Sequence, residues 1–281
     1  TGNVGLKVTI GRWSIDGIVP LAPTWDTPGP LARTVEDAAI AFGTIDPAVD
    51  NTLGFVDGLH GREASELCLG MCDEHFWDDC SPGIAEAVRG AIDELTAKGA
   101  RLKKVSMDMA TEARDSTHRG GIFGAEGWAW LQAGYPERAA TLDPNIAARF
   151  EVGRALPASD YYQAIHGIKP MAAGANHALR HVDALVVPMV NGTPPTAEAV
   201  SDDAIYREQV VKITRNAHPV NLLELCAITL PVGLDAAGMP VGLQLIGRGG
   251  TEERLLSTAL AVEAVLGTSA ARLGRPPLIR R

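Results

Sequence analysis

The chain has 281 residues, of which 46% are hydrophobic and 21% are charged, and its formal net charge is −9. This composition is typical of an ordered globular protein, and the acidic balance argues against direct binding to nucleic acid. No apolar run reaches the roughly 18 residues of a membrane-spanning helix, and the first residues contain no secretory apolar core. We therefore expect a cytoplasmic protein with no membrane partner, whose four cysteines stay reduced.

The first 34 residues are rich in glycine and proline and predict a wrapped loop with short β-prone pieces at residues 8–10 and 18–20. Because Thr1 stands in the middle of a β-prone pattern, we expect a further segment of the same protein upstream. Asp26 precedes a Thr-Pro-Gly turn and is expected to anchor it. Thr34 is a suitable N-cap for a helix that should stop at Gly43.

The next part of the chain has the pattern of a strand–helix–strand unit. Residues 66–71 predict a buried strand, Ser81 and Pro82 predict the start of a helix that ends at residues 98–99, and residues 101–105 predict a second strand. The two strands should pair in parallel. Residues 110–182 have mostly helical patterns, interrupted at Pro144, Pro157 and residues 167–170.

An unbroken apolar run at residues 184–190 predicts a strand buried on both faces at the centre of the sheet. The loop that follows it leaves the carboxyl end of a strand, where open α/β sheets bind ligands, so we expect Asn191 on the cleft side. Residues 227–233 and 241–247 predict two antiparallel strands joined by a short turn. A last helix should begin after Thr251.

Common catalytic, nucleotide-binding and metal-binding motifs are missing from the sequence. It has no G-x-S-x-G elbow, no P-loop and no G-x-G-x-x-G. His177 and His181 are spaced for one helix face but lack the acidic residue of a zinc motif, so we expect no metal there. The spacing of Cys68, Cys72 and Cys80 matches no common zinc site. No cofactor is implied.

Three ordered segments resemble one known family. Residues 5–14, 17–22 and 26–39 closely resemble the downstream half of the amidase signature, with Gly-Leu-Lys at residues 5–7 and Gly-Pro-Leu-Ala-Arg at residues 29–33. Residues 221–233 and 238–247 look like the C-terminal strands of the same family. The resemblance extends over essentially the whole chain.

The resemblance implies an α/β fold in which α/β/α layers surround a mixed, twisted central sheet. Residues 1–281 would be the C-terminal part of a single domain. It also implies amide hydrolysis by a serine nucleophile with a cis-serine and a lysine. All three family residues precede the point that matches Thr1, so we expect no catalytic residue in this chain. Lys7 matches the lysine that follows the nucleophile, and Ser14 lies in the next turn.

By the same resemblance, four residues fall in segments that approach the active-site cleft and are candidate substrate contacts: Phe123, Tyr161, Asn191 and Cys226. Three arginines are either anchors for a substrate carboxylate or ordinary surface cations: Arg149, Arg154 and Arg215.

Three functions stay open at this point. The first is an amidase acting on a small amide substrate, completed by the missing N-terminal segment of the same protein. The second is a transamidase resembling the A subunit of the glutamyl-tRNA amidotransferase. The third is a noncatalytic scaffold or binding chain. The sequence leaves open whether the protein forms a homodimer.

Overall fold

One sheet of seven strands runs through the part of the chain that this computed structural model describes, residues 2–73 and 75–274, with the backbone alone at residues 117–120. The strand order is β2-β1-β6-β7-β5-β3-β4. The strands are β1 (Val4–Lys7), β2 (Leu31–Ala32), β3 (Cys68–Met71), β4 (Arg101–Lys104), β5 (Ala184–Pro188), β6 (Cys226–Leu234) and β7 (Pro240–Gly247).

Helices cover both faces of this sheet. Those of the described residues are α1 (Val35–Ile45), α2 (Thr52–Leu59), α3 (Ile84–Ala97), α4 (Met109–Gly120), α5 (Ile122–Gly134), α6 (Pro144–Arg154), α7 (Ala158–Ala178), α8 (Asp203–Thr214), α9 (Ala217–Leu222), α10 (Glu252–Leu266) and α11 (Ser269–Leu273). Short 3₁₀ helices lie at Ala64–Glu66, Pro136–Thr141, Leu179–His181 and Ala199–Ser201. Among the helices described, none is long and apolar enough to cross a membrane.

Strand β5 occupies the central position predicted from its apolar run. All five of its residues are buried, and it pairs in parallel with β3 and antiparallel with β7. Strands β3 and β4 pair in parallel, as the strand–helix–strand pattern predicts. The sheet is therefore mixed.

The β6–β7 hairpin is also confirmed. The two strands pair antiparallel from Cys226 opposite Gly247 to Leu234 opposite Pro240. The Asp235 carboxylate closes the turn, because its Oδ1 accepts hydrogen bonds from the N–H groups of Ala237 (2.9 Å) and Met239 (2.8 Å).

Two apolar clusters lie on the two faces of the sheet, which gives the predicted α/β/α layers. One cluster joins the sheet to α1, α2, α3 and α10. The other joins it to α4, α7 and α9. Side chains alternate between the clusters along each strand: in β5, Val186 belongs to the first, and Leu185 and Val187 belong to the second.

Helix α1 begins as predicted and ends later. The Thr34 hydroxyl accepts a 3.0 Å hydrogen bond from the Asp37 N–H, as an N-cap does. The expected stop at Gly43 is wrong, because the helix continues to Ile45. A Cβ atom at Gly43 would lie 3.0 Å from Phe55 Cδ1, so this glycine lets α2 pack closely against α1.

Helix α3 begins two residues after the predicted start. Its N-cap is Gly83, at φ +89°, rather than Ser81. The preceding residues have other partners: the Ser81 N–H donates to Asn191 O (2.7 Å), and Pro82 O accepts from Ala236 N (3.0 Å). These contacts fix Ser81 and Pro82 in a turn before the helix, which the Ile84 N–H closes by donating to Ser81 O (3.2 Å).

Helix α7 runs through the interruption predicted at residues 167–170 and contains Pro170. A proline removes one hydrogen bond from a helix interior, but Ile168 and Ala172 on either side of it are buried, and this packing holds the helix together.

The segment between β1 and β2 is a loop, and it contains residues 8–10 and 18–20, whose patterns are β-prone. The strand at this end of the chain is formed by the residues just before the loop, Val4–Lys7. Asp26 anchors a turn there, as predicted. Its Oδ2 accepts from the N–H groups of Leu21 (2.8 Å) and Ala22 (3.1 Å).

Strand β4 is one edge of the sheet. Its four residues, Arg101, Leu102, Lys103 and Lys104, are all exposed.

Candidate functional site

A cavity of about 190 Å³ opens at the carboxyl end of β5, where the sequence predicts a binding crevice. Met189 and Val190, which follow β5, form one wall, and Gly2 and Asn3 form another. The paired strands β6 and β7 complete it.

Gly242 of β7 gives this cavity its shape. A Cβ atom at Gly242 would lie 2.6 Å from Thr229 Cγ2 and 3.3 Å from Met189 Cβ. Glycine therefore lets β7 pass between these two side chains, and a larger residue would displace the cavity wall.

Two polar side chains lie together on the strands behind the cavity. Thr229, which lines the cavity, stands directly opposite Gln244 in the β6–β7 ladder, so the two side chains share one face. Gln244 is 3% exposed, and its Oε1 has no hydrogen-bond partner among the described residues.

Asn191 is buried beside the cavity rather than in its wall. Its Nδ2 donates to Phe76 O (3.0 Å) and to Asp78 O (2.7 Å), in the loop that follows β3. Asn216 binds the same loop, because its Nδ2 donates to Phe76 O (2.9 Å) and to Pro188 O (2.7 Å). Together the two asparagines hold the loop after β3 against the end of β5.

Tyr161 and Phe123 lie in the helical layer on the second cluster. The Tyr161 hydroxyl donates to Glu126 Oε1 at 2.9 Å, and burial raises its pKa. The Phe123 ring lies 5.8 Å from the His218 ring, centroid to centroid. Neither residue lines the cavity.

Cys226 lies at the far end of β6, and its side chain belongs to the first cluster, on the opposite face from Thr229. Its Sγ donates to Arg248 O at 3.1 Å, and burial raises the pKa of the thiol to about 12. The structure thus brings none of the four candidate substrate contacts into the cavity wall, and their contact with substrate stays a prediction.

Lys7 is partly buried, and its ammonium group is bound by two backbone carbonyls. Its Nζ donates to Val8 O and to Leu225 O, each at 2.9 Å. Burial lowers the pKa of Lys7 to about 8, partly opposed by attraction to Cys226 and Glu252. Ser14 is exposed, and its Oγ accepts a 3.0 Å hydrogen bond from the Asp16 N–H, within its own turn. Neither residue is placed as a nucleophile with a base.

Two of the three candidate arginine anchors have acidic partners. Arg154 pairs with Glu151 at 2.8 Å, and Arg215 pairs with Asp78 at 2.8 Å. Arg149 is exposed on α6.

No group of three or more histidine, cysteine, aspartate or glutamate side chains is gathered for a metal ion within residues 2–73 and 75–274. The expectation that His177 and His181 bind no metal stays a prediction.

Sequence reasoning missed Gln244 and Glu126. The sequence contains a signal for Gln244, because it is the one polar side chain in the otherwise apolar strand β7. Glu126 has no comparable signal, because its two partners lie 102 and 35 residues away in sequence.

Nearly the whole chain is similar in sequence to known proteins. Residues 1–256 match the profile of the amidase family. The chain is 38% identical over 278 residues to 2-amino-5-chloromuconic acid deaminase of Comamonas testosteroni, covering 99% of this chain and 59% of that protein. It is 30% identical to the A subunit of the glutamyl-tRNA(Gln) amidotransferase of Geobacter sp. (strain M21), covering 93% of this chain and 59% of that protein.

A solved structure gives the same fold. A crystal structure of an amidase superposes with a TM-score of 0.78 at 25% identity, over 95% of this chain and 59% of that one. The chain thus spans about three fifths of the length of the relatives it matches.

Proposed function

Since this chain belongs to the amidase family, we propose that it is the C-terminal part of a hydrolase that cleaves a C–N bond of a small molecule. The observation that carries the proposal is the family match over residues 1–256, which includes every strand around the cavity. In this proposal residues 1–281 belong to a single domain, completed by a segment that precedes residue 1.

The chemistry assigned to the upstream segment is that of a serine nucleophile with a cis-serine and a lysine. A neutral lysine takes a proton through the middle serine while the nucleophilic serine attacks the substrate carbonyl. Backbone N–H groups stabilise the oxyanion, and the amine leaves with a proton. Water then releases the acyl group from the serine.

This chain contributes the scaffold and part of the pocket wall. The walls after β5 and along the β6–β7 hairpin are apolar or small, apart from Thr229 and Asn3, and suit a compact substrate. Phe123, Tyr161, Asn191 and Cys226 stay candidates for substrate contact in the complete enzyme.

The substrate proposed first is a small carboxamide or an amino-substituted muconic acid. The amino-substituted muconic acid is supported by the 38% identity to 2-amino-5-chloromuconic acid deaminase. Release of ammonia from a panel of both compound types by the full-length protein would distinguish them.

A transamidase is the second candidate, and it is favoured by the 30% identity to the A subunit of the glutamyl-tRNA(Gln) amidotransferase. A transamidase should show glutaminase activity that rises when its partner proteins are added. A hydrolase should act on its amide without them.

A fluorophosphonate probe tests the central claim. We expect the full-length protein to be labelled on a serine upstream of residue 1, and residues 1–281 alone to stay unlabelled and inactive. Mass-spectrometric mapping of the label to Ser14 or to another serine of this chain would overturn the proposal. A full-length protein that neither reacts with the probe nor forms hydroxamates from small amides and hydroxylamine would favour a noncatalytic scaffold.

A cytoplasmic location stays a prediction from the sequence, and the oligomeric state stays open.

A further inference from the structure

Strand β4 leaves part of its backbone open to a further strand. In the sheet of the described residues it pairs with β3 alone. The N–H groups of Arg101 and Val105 donate to carbonyl groups of the β3 segment, at 2.9 and 2.8 Å, so alternate residues bond towards β3. The peptide groups of Leu102 and Lys104, which alternate with these, therefore point away from the sheet. Their N–H and C=O groups form the open edge.

Lys103 and Arg101 lie on the face of the sheet that the second cluster covers. Lys103 stands opposite Gly70 of β3. A Cβ atom at Gly70 would lie 3.0 Å from Val105 Cγ2 and 3.3 Å from Val182 Cγ2, and both valines belong to the second cluster. Opposite residues of a ladder share a face, and so do alternate residues of one strand, which places Lys103 and Arg101 together.

The end of α7 adds cations to this face. His181 is exposed in the 3₁₀ helix that follows α7. The positive charge of Arg180 lowers the pKa of His181, with further contributions from Lys103 and His177. These side chains are therefore close enough to act on one another. With Arg101 they form a basic cluster on a chain whose net charge is −9.

The opposite face of β4 has little net charge. Leu102 and Lys104 lie on it, because side chains alternate along a strand. Leu102 is 45% exposed and offers apolar surface. The Lys104 ammonium group pairs with the Asp73 carboxylate at 2.5 Å, which neutralises its charge. The edge thus presents cations on one face and a mainly apolar surface on the other.

An extended peptide is the ligand that matches both features of this edge. Its backbone supplies the donors and acceptors that the outward groups of Leu102 and Lys104 lack. Because its side chains alternate between the two faces, acidic residues at every second position would meet the basic cluster, and apolar residues between them would meet Leu102. A nucleic acid backbone offers no N–H donor to the outward C=O groups, and the net charge of −9 repels it.

We propose that β4 is a docking edge for an extended segment of a partner protein, with acidic side chains at alternate positions and apolar side chains between them. The acidic side chains would lie against Arg101, Lys103 and the end of α7. This surface is separate from the cavity, since β3 lies between β4 and β5 and no residue of β4 lines the cavity. The inference therefore goes beyond the proposed hydrolase activity and does not depend on it.

The first test measures binding of a labelled seven-residue peptide of alternating valine and glutamate, with both ends capped, to the full-length protein. Fluorescence anisotropy at low salt should show saturable 1:1 binding. Lys103→Glu and Arg101→Glu should each weaken it by at least about tenfold, because like charges then face each other. Lys103→Arg should bind as the wild type does. The matched control is Arg207→Glu, at an exposed position on α8, which should also leave binding unchanged.

Two N-methylated peptides test the use of the backbone. One is methylated at every valine nitrogen and the other at every glutamate nitrogen, so each has one edge that cannot donate hydrogen bonds. With the glutamates on the basic face, the valine N–H groups face β4 in an antiparallel pair and the glutamate N–H groups face it in a parallel pair. We expect one methylated peptide to lose binding and the other to keep it, and the one that loses binding gives the strand direction.

Several results would overturn the inference. The unmodified peptide fails to bind the full-length protein, or it binds the folded Lys103→Glu and Arg101→Glu variants as tightly as the wild type. The two methylated peptides behave alike, which would mean that no strand is added. A single-stranded oligodeoxynucleotide of the same net charge binds as tightly as the peptide, which would make the cluster a general polyanion site. Circular dichroism of each variant reports its folded fraction.

Discussion

The Tyr161 hydroxyl on α7 donates a 2.9 Å hydrogen bond to Glu126 Oε1 on α5. The other oxygen of the same carboxylate accepts a 2.8 Å hydrogen bond from the N–H of Thr24, in the loop between β1 and β2. One carboxylate thus joins that loop to two helices. The donor of the Tyr161 hydroxyl is already occupied, so contact with substrate would have to use the ring or the hydroxyl oxygen as an acceptor.

Tyr161→Phe separates these two roles. The variant keeps the ring and removes the donor to Glu126, so we expect a loss of about 1 kcal/mol in the free energy of unfolding. Urea unfolding of the full-length protein measures this loss. KM should stay the same if only the ring meets the substrate, and a rise in KM with unchanged stability would contradict the structural role of the hydroxyl.

Asn191→Ala should destabilise the protein. The side chain is fully buried, and its loss leaves Asp78 O without this donor and opens a cavity, so we expect a cost of about 2 kcal/mol. The sequence alone predicted Asn191 on the cleft side, whereas in the structure its Nδ2 binds the carbonyls of Phe76 and Asp78. Asn145→Ala, in an exposed hydrogen bond with Asp203, should change stability by less than about 0.5 kcal/mol. Equal unfolding midpoints for the two variants would refute this prediction.

Gly153→Ala tests the packing of α5 against α6. A Cβ atom at Gly153 would collide with the backbone of Gly124 and Ala125 on the neighbouring helix. We expect a loss of about 1–3 kcal/mol, because backbone cannot move aside as a flexible side chain can. Gly90→Ala in α3 meets no atom within 4 Å and should stabilise the protein by up to about 1 kcal/mol. Thermal unfolding of the two variants should shift in opposite directions.

Lys7 should make stability depend on pH. Its pKa is lowered from 10.5 to about 8 in the folded chain, so between these values the unfolded chain holds a proton that the folded chain has lost. The free energy of unfolding therefore rises with pH through this window, and below pH 8 the full cost of burying the charge is present.

Comparison of the wild type with Lys7→Met isolates this effect. Cys226 acts in the opposite direction above pH 9, since its pKa is raised to about 12, but it is present in both proteins. We expect the difference in unfolding free energy between wild type and Lys7→Met to change steadily from pH 8 to pH 10, in favour of the wild type. Parallel curves over that range would mean that the Lys7 pKa is not lowered.

The strands were the most predictable part of this fold. The apolar run of β5 and the short turn at Asp235 are local patterns, and both place their strands correctly. Helix ends were less predictable where distant contacts decide them. Helix α1 continues past Gly43, where Phe55 of α2 packs against it. Helix α3 begins later than predicted because the Ser81 N–H is bound to Asn191 O.

The cavity was predictable only in its location at the end of β5. Its walls come from residues that lie up to 240 positions apart in sequence, such as Gly2 and Gly242. The direction of a side chain after a strand is also set by its partners, which is why Asn191 turns to Phe76 O rather than to the cavity.

Strand β4 has a consequence for behaviour at high concentration. An unpaired edge strand is a template for strand addition by another copy. In the sheet of the described residues this edge carries Arg101, Lys103 and Lys104, all exposed, so two copies meeting along β4 would bring six cations together, two of them, the Lys104 side chains, each paired with an Asp73 carboxylate. Repulsion between them opposes growth of the sheet from one molecule into the next, and high salt would weaken this protection by screening it.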